Sequence, residues 1–263
     1  MRKIQVNSLS FSTVKQFTEG CSENVFLDKV DKAPRLGTSA AALLGSGIHS
    51  ASESHFRALL INHKLDADVL LRVFENRWNA VNPDNIIYGK QDKEKIFTQA
   101  KDLISLLLEA EQPKEILAIE KPVTYQLTDD LAVIGKADLI YRNSQGRLVI
   151  TDVKTSAKAY SDADLYNVTN QVYTYALAFS EPVKLKVMLF VKTKTPRLEE
   201  IELNADDIDF EEWKNRFIQT KRGIENNIRY KVRSWMCKSC SFSYLCNQKS
   251  NCVEIPIIER KAA

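Results

Sequence analysis

Three charged residues in this chain sit where apolar strands should run. Asp138 closes the stretch Ile134-Gly-Lys-Ala-Asp138, and Asp152 and Lys154 interrupt Leu148-Val-Ile-Thr-Asp-Val-Lys-Thr155. Strand side chains alternate between faces, so Asp152 and Lys154 point the same way. A carboxylate and an ammonium on a mostly buried strand are costly unless something uses their charge. A divalent cation bridged to a phosphate is one such use, and Mg²⁺ or Mn²⁺ prefers oxygen donors of this kind. The bland alternatives are a same-face ion pair between Asp152 and Lys154, and pairing of Asp138 with Lys136 or Arg142.

Cysteines carry the second chemical signal. Cys237, Cys240 and Cys246 form C-x2-C-x5-C, Cys252 follows, and Cys21 lies far upstream. In a reducing compartment such spacing reads as metal ligation before disulfides. Cys252 as the fourth thiol would make a local zinc knuckle. Cys21 would instead tie the two ends of the chain around an iron-sulfur cluster. Spacing alone leaves both open.

The elements that must position these groups follow from periodicity. Helices are expected from Ser8 to about Val30, with Ser10 or Ser12 as cap, and over Thr38 to Leu60, Asp66 to Val81 and Asp92 to Ala110. In the last of these, Ile96, Ala100, Leu103, Leu107 and Ala110 recur on one face. Strands are expected at Glu115 to Leu127, Leu131 to Arg142 and Arg147 to Lys154, an antiparallel meander with turns at Asp129-Asp130 and Asn143 to Gly146. A helix from Asp164 to Phe179, strands Val183 to Thr193 and Arg197 to Leu203, and a helix from Ala205 to Asn226 capped by Asn204 complete the pattern. This is an α/β fold with a mixed sheet flanked by helices. It reads as one domain over 1–263: a mainly helical region 1–113, a sheet core 114–203, and a C-terminal helix with the cysteines over 204–263.

A formal net charge of +3 means that any affinity for nucleic acid must come from local clustering of cations. The candidates are Lys221-Arg222 with Arg229 to Arg233, and Lys192, Lys194 and Arg197. A solvated face is the commoner explanation of such runs. Trp235, Phe242 and Tyr244 are expected to shield a metal cluster. Neither a signal peptide nor a membrane-length apolar run is seen, which gives the expectation of a cytoplasmic protein without membrane contact.

These residues occur in a recognisable order. Ser10-Phe-Ser12 and Cys21 are followed by Gly45…His49, Gly135-x-x-Asp138, Asp152-x-Lys154, Gln171-x3-Tyr175 and the three C-terminal cysteines. The set resembles the RecB-like nucleases of the PD-(D/E)XK superfamily. It is similar in particular to the branch that carries a [4Fe-4S] cluster, with CRISPR-associated RecB-type exonucleases and the AddB nuclease domain among its members. The resemblance implies a restriction-endonuclease-like core and a C-terminal iron-sulfur clasp. It implies that His49, Asp138, Asp152 and the main-chain carbonyl of Val153 bind Mg²⁺ or Mn²⁺, and that Lys154 acts on the attacking water and the scissile phosphate. Gln171 and Tyr175 would contact DNA, and Cys21, Cys237, Cys240 and Cys246 would hold the cluster. The implied activity is hydrolysis of DNA, single-stranded DNA favoured, by an exonuclease serving CRISPR adaptation, recombination and repair, or phage DNA processing. With no G-x4-G-K-[ST] loop in the sequence, a helicase would be a separate partner.

His49 read alone is a core histidine with Glu53 as its partner. Glu120, on the first strand, is expected at the surface and stays outside the site. Gly45 and Gly47 each cost a helix roughly 0.5–1 kcal/mol, which points to close packing there.

Overall fold

The computed structural model describes residues 4–113 and 115–246, with Trp235 by its backbone alone. Cys252 and the Trp235 side chain lie outside the described residues.

In place of one helix from Ser8 to Val30 there are three pieces. A short strand β1 (Ser8–Ser10) leads into α1 (Phe11–Thr18), and one-turn α2 (Ser22–Val25) follows and runs on into a π-turn, Phe26–Val30. Ser10 caps α1, its hydroxyl accepting from the Thr13 N–H at 3.3 Å. Glu19 and Gly20 separate the two helices, and Cys21 is placed at the start of the second.

The next elements follow the expected pattern. The two-residue strand β2 (Thr38–Ser39) enters α3 (Ala40–Leu60), capped by Ser39, and α4 (Ala67–Asn79) is capped by Asp66. After β3 (Ile86–Ile87), which pairs with β2, comes α5 (Lys93–Glu109), capped by Asp92. Each cap accepts a backbone N–H that the helix itself cannot satisfy. The two glycines of α3 do pack closely. A Cβ on Gly47 would lie 2.4 Å from Phe74 of α4, and one on Gly45 would lie 3.0 Å from Thr155.

Three long strands then form the meander: β4 (Glu115–Thr128), β5 (Leu131–Arg142) and β6 (Leu148–Ser156). Helix α6 (Asp162–Ala176) carries the chain over the sheet to β7 (Val183–Val191), which lies parallel to β6, and β8 (Arg197–Leu203) returns antiparallel to β7. Ser161 and Asp164 cap α6 reciprocally, so it begins two residues before the expected Asp164. Asn204 caps only a 3-10 turn, Ala205–Asp207; helix α7 (Phe210–Glu225) starts later and is capped by Asp209. One-turn α8 (Ser243–Cys246) ends the described chain.

The position of β1 matters most for the site. β5 pairs with β4 along its whole length, but its other edge is shared. β1 takes Ala132 to Ile134, and β6 takes only Leu139 to Arg142. Between these, β5 and β6 diverge, and β6 continues alone beside β7. Asp138 and Asp152 are each one residue past the last paired position, at the fork.

Apolar clusters hold the fork from both sides. Leu43, Leu44, Ile48, Phe74 and Leu103 of α3, α4 and α5 pack on one side with Leu139, Val153 and Phe190. Val168, Val172 and Tyr175 of α6 pack with Ile140, Ile150 and Leu189. A third cluster joins α1 to α7 through Val14, Phe17, Trp213 and Phe217. Burial of such side chains contributes about 1.5–3 kcal/mol each. The basic segment is part of this scaffold. Lys221 pairs with Asp130 and Glu225, and Arg229 pairs with Glu23 and Asp31 while lying over the Phe26 ring. Among the described residues, no helix is long and apolar enough to cross a membrane.

Candidate active site

The carboxylates at the fork are held by backbone as well as by side chains. Where the β5–β6 ladder stops, Asp138 Oδ2 accepts the Val153 N–H at 2.7 Å, standing in for a ladder carbonyl. That bond fixes the Asp138 carboxyl and turns its other oxygen outward. His49 of α3 meets it there, with Nε2 3.1 Å from Asp138 Oδ1.

The same imidazole nitrogen is 3.3 Å from Glu120 Oε1. Glu120 was expected at the surface, and the structure overturns this: its side chain is 7% exposed and belongs to the site. In the antiparallel register Ile119 faces Leu139 and Lys121 faces Ala137, which sets Glu120 across from Asp138. Its backbone has φ 53°, a left-handed conformation inside a strand. For a residue with a Cβ this costs on the order of 1–3 kcal/mol, and such strain concentrates at functional sites. Lys136 forms an ion pair with Glu120, not with Asp138, and Arg142 pairs with Glu181. Glu53 pairs with Arg57, leaving His49 to the fork. His49, Glu120 and Asp138 offer ligand atoms within 4.8 Å of one another.

Asp152 stands beside this triad and is only 1% exposed. Its Oδ1 accepts from Gln171 Nε2 at 3.0 Å, and its Oδ2 lies 2.7 Å from Lys154 Nζ. Burial pushes its pKa up to about 6; Lys154 opposes the rise and the neighbouring Asp138 adds to it. Lys154 is held above the ordinary lysine value: burial works against its charge, but the attraction of Asp152 outweighs it. The hydrogen bond to Asp138 raises His49, and burial only partly offsets that.

Helix α6 closes the site from the other side. Gln171 Nε2 also donates to the Tyr175 hydroxyl at 2.6 Å, and the Tyr175 ring lies against β5 at Gly135. A Cβ on Gly135 would sit 2.5 Å from that ring, so only glycine admits it. Tyr175 is 6% exposed, and burial drives its hydroxyl well above the ordinary range. A cleft runs over the fork, lined by Gly45, His49, Glu120, Lys136, Val153 and Lys154.

The donor set suits a hard cation. Three buried or half-buried carboxylates face one imidazole and two lysines. Glu120 Oε1 and Asp152 Oδ2 are buried oxygens whose near neighbours are the His49 imidazole at 3.3 Å and the Lys154 ammonium at 2.7 Å. Carboxylate oxygens clustered in this way suit a divalent cation, and an imidazole nitrogen is compatible with Mn²⁺ as well as Mg²⁺.

The cysteines lie at a separate place, where the chain ends meet. Leu36 N–H donates to Ser241 O at 2.9 Å, Tyr244 Oη to Pro34 O at 2.7 Å, and Ser22 Oγ to Tyr230 O at 3.2 Å. Burial raises the Cys246 thiol; Lys231 opposes the rise, and Cys240 and Cys21 add to it, so both lie within electrostatic reach of Cys246. Asn24 Nδ2 donates to Cys240 Sγ at 3.5 Å and the Ser234 N–H to Cys237 Sγ at 3.4 Å. Phe242, 2% exposed, is buried beside them, with Arg35 over its ring.

The sequence profile of the PD-(D/E)XK nuclease superfamily matches residues 8–247. Among solved structures, a provisionally assigned exonuclease from Eubacterium rectale is 15% identical. The match covers 88% of this chain and 92% of that one, with a TM-score of 0.55, a likeness of fold. The structure of SSO0001 is 17% identical over 90% of this chain and 94% of its own, with a TM-score of 0.40. No curated protein matches this sequence.

Proposed function

The chain belongs to the PD-(D/E)XK nuclease superfamily, and from that membership we propose that it is a divalent-metal-dependent deoxyribonuclease, acting as an exonuclease on single-stranded DNA. The observation that carries this reading is the convergence of His49, Glu120 and Asp138 within 4.8 Å, beside the Asp152–Lys154 pair.

In this reading His49, Asp138, Asp152 and the Val153 carbonyl hold Mg²⁺ or Mn²⁺, with Glu120 added to the set that the sequence suggested. The cation supplies Lewis-acid stabilisation of charge on the phosphoryl oxygens. The protein's own groups do the rest. Lys154 Nζ is directed over the cleft by its bond to Asp152, where its charge offsets that growing on the scissile phosphate. Gln171 holds Asp152 Oδ1 and so fixes the orientation of that carboxyl, which would help to hold the cation, a positioning role, while Tyr175 locks Gln171. Both also line a cleft with Ser10 and Phe11, where contact with the DNA strand is proposed.

The iron-sulfur branch is proposed on the order of the cysteines that the family resemblance carries. Cys21, Cys237, Cys240 and Cys246 would hold a [4Fe-4S] cluster, and the N–H donors to the Cys240 and Cys237 sulfurs suit thiolate ligands. Roles in CRISPR adaptation, repair or phage DNA processing, with a separate helicase, remain within this proposal.

The test compares wild type with Asp152→Ala on end-labelled single- and double-stranded DNA, in Mg²⁺, Mn²⁺ or EDTA. Stepwise shortening of single strands that needs metal and Asp152 supports the proposal. Cleavage undiminished in Asp152→Ala, or persisting in EDTA, contradicts it.

A further inference from the structure

Beside the fork lies a second recess of opposite character. The Lys192 N–H donates to Ser156 O at 2.8 Å and extends the parallel β6–β7 pairing one step past Ser156 and Val191. Lys192 therefore stands one strand over and three residues on from Lys154. With about 10 Å along the strand and about 4.8 Å across, the two backbone positions are about 11 Å apart. Ala42, Gly45 and Thr155 line both the active-site cleft and this recess, so the two are continuous. Gly45 keeps the passage open, since a Cβ there would press on Thr155 Oγ1.

The active-site cleft is lined by Glu53 and Glu120, as a cation site should be. The recess has no carboxylate in its lining; it presents Lys192, Gln91, Gln99 and Ser156. Two other lysines on this strand are neutralised: Lys184 pairs with Glu202 and Lys186 with Glu200. Among the described residues Lys192 has no such partner. Burial alone acts on its pKa and lowers it. A half-buried cation without a counter-charge is costly unless an anion comes to it.

We infer that Lys192, with Gln91 and Gln99, forms a phosphate-binding subsite that grips the DNA strand next to the scissile phosphodiester. This rests on the nuclease reading above. Phosphates recur at short intervals along a strand, so one at the fork brings its near neighbours within reach of the recess. The subsite makes no base contact, and it fixes position along the strand without reading sequence.

The test is binding of a fluorescent single-stranded oligonucleotide in EDTA across a salt series, by wild type, Lys192→Gln, Lys192→Arg and the exposed-loop control Lys64→Gln. Lys192→Gln should lose about tenfold in affinity. Its slope of log K against log salt should be shallower by about 0.7, one phosphate contact on a single strand. Lys192→Arg should restore the slope, Lys64→Gln should keep it, and the melting temperature of Lys192→Gln should not fall. An unchanged slope in Lys192→Gln, with wild type binding DNA, overturns the subsite alone. Absence of DNA binding by wild type overturns the nuclease reading with it.

Discussion

Protons and a divalent cation should compete for the fork, and the competition can be read as stability. The Asp152 carboxyl is raised from 3.8 to about 6. Without metal, the folded state therefore holds its proton more tightly than the unfolded chain. The contribution of this one group is fully present below 3.8 and is lost as pH rises through about 6, by about 3 kcal/mol for a shift of about two units. A bound cation needs the ionised carboxylate and reverses this cost. Mn²⁺ at a hundredfold its Kd stabilises by about 2.7 kcal/mol. In a chain of this size that is roughly 5–10 °C in melting temperature. At pH 5, one unit below the Asp152 value, affinity falls about tenfold and the stabilisation drops to about 1.4 kcal/mol. His49, raised by Asp138, must also lose its proton to bind metal, which weakens the effect further. The assay is thermal unfolding with and without Mn²⁺ at fixed concentration, from pH 5 to 7.5. Equal Mn²⁺ stabilisation at both ends would refute the reasoning, because the cation would then be bound elsewhere.

Three further outcomes are expected. Lys154→Met should lower kcat by on the order of 10²–10³ and keep Mn²⁺ stabilisation, measured by single-turnover cleavage and thermal shift; loss of metal binding would make Lys154 a structural residue. Gly135→Ala places a Cβ against the Tyr175 ring and should destabilise by about 1–3 kcal/mol, read from the melting curve. A wild-type melt would show that the ring moves freely. Cys21→Ser should abolish the visible iron-sulfur absorbance and bound iron, and retained colour with full iron content would remove Cys21 from the ligand set.

Much of the site was legible because its chemistry violates the strand pattern. Asp138, Asp152 and Lys154 stand out as charges in apolar runs, and the hairpin turns that join their strands are marked by Asp129-Asp130 and Asn143 to Gly146. Glu120 was not legible for a reason of register. Its place opposite Asp138 depends on an irregularity between Gln126 and Thr128, and a one-residue slip would send it to the other face. The fork was hidden as well. Ser8 to Ser10 reads as helix by local pattern, but pairing with β5 pulls it into the sheet, and tertiary contact overrides propensity there. Gln171 and Tyr175 sat where a helix-face reading put them, yet their bonds to Asp152 and to each other are non-local facts.

The most direct measurement is anomalous diffraction from crystals soaked in Mn²⁺. The account predicts a manganese peak at the fork, bonded to His49 Nε2 and to carboxylate oxygens of Asp138 and Asp152, and its loss in Asp138→Asn. A Mn²⁺ peak away from these residues, or no ordered manganese in a protein that still cleaves DNA, would contradict it.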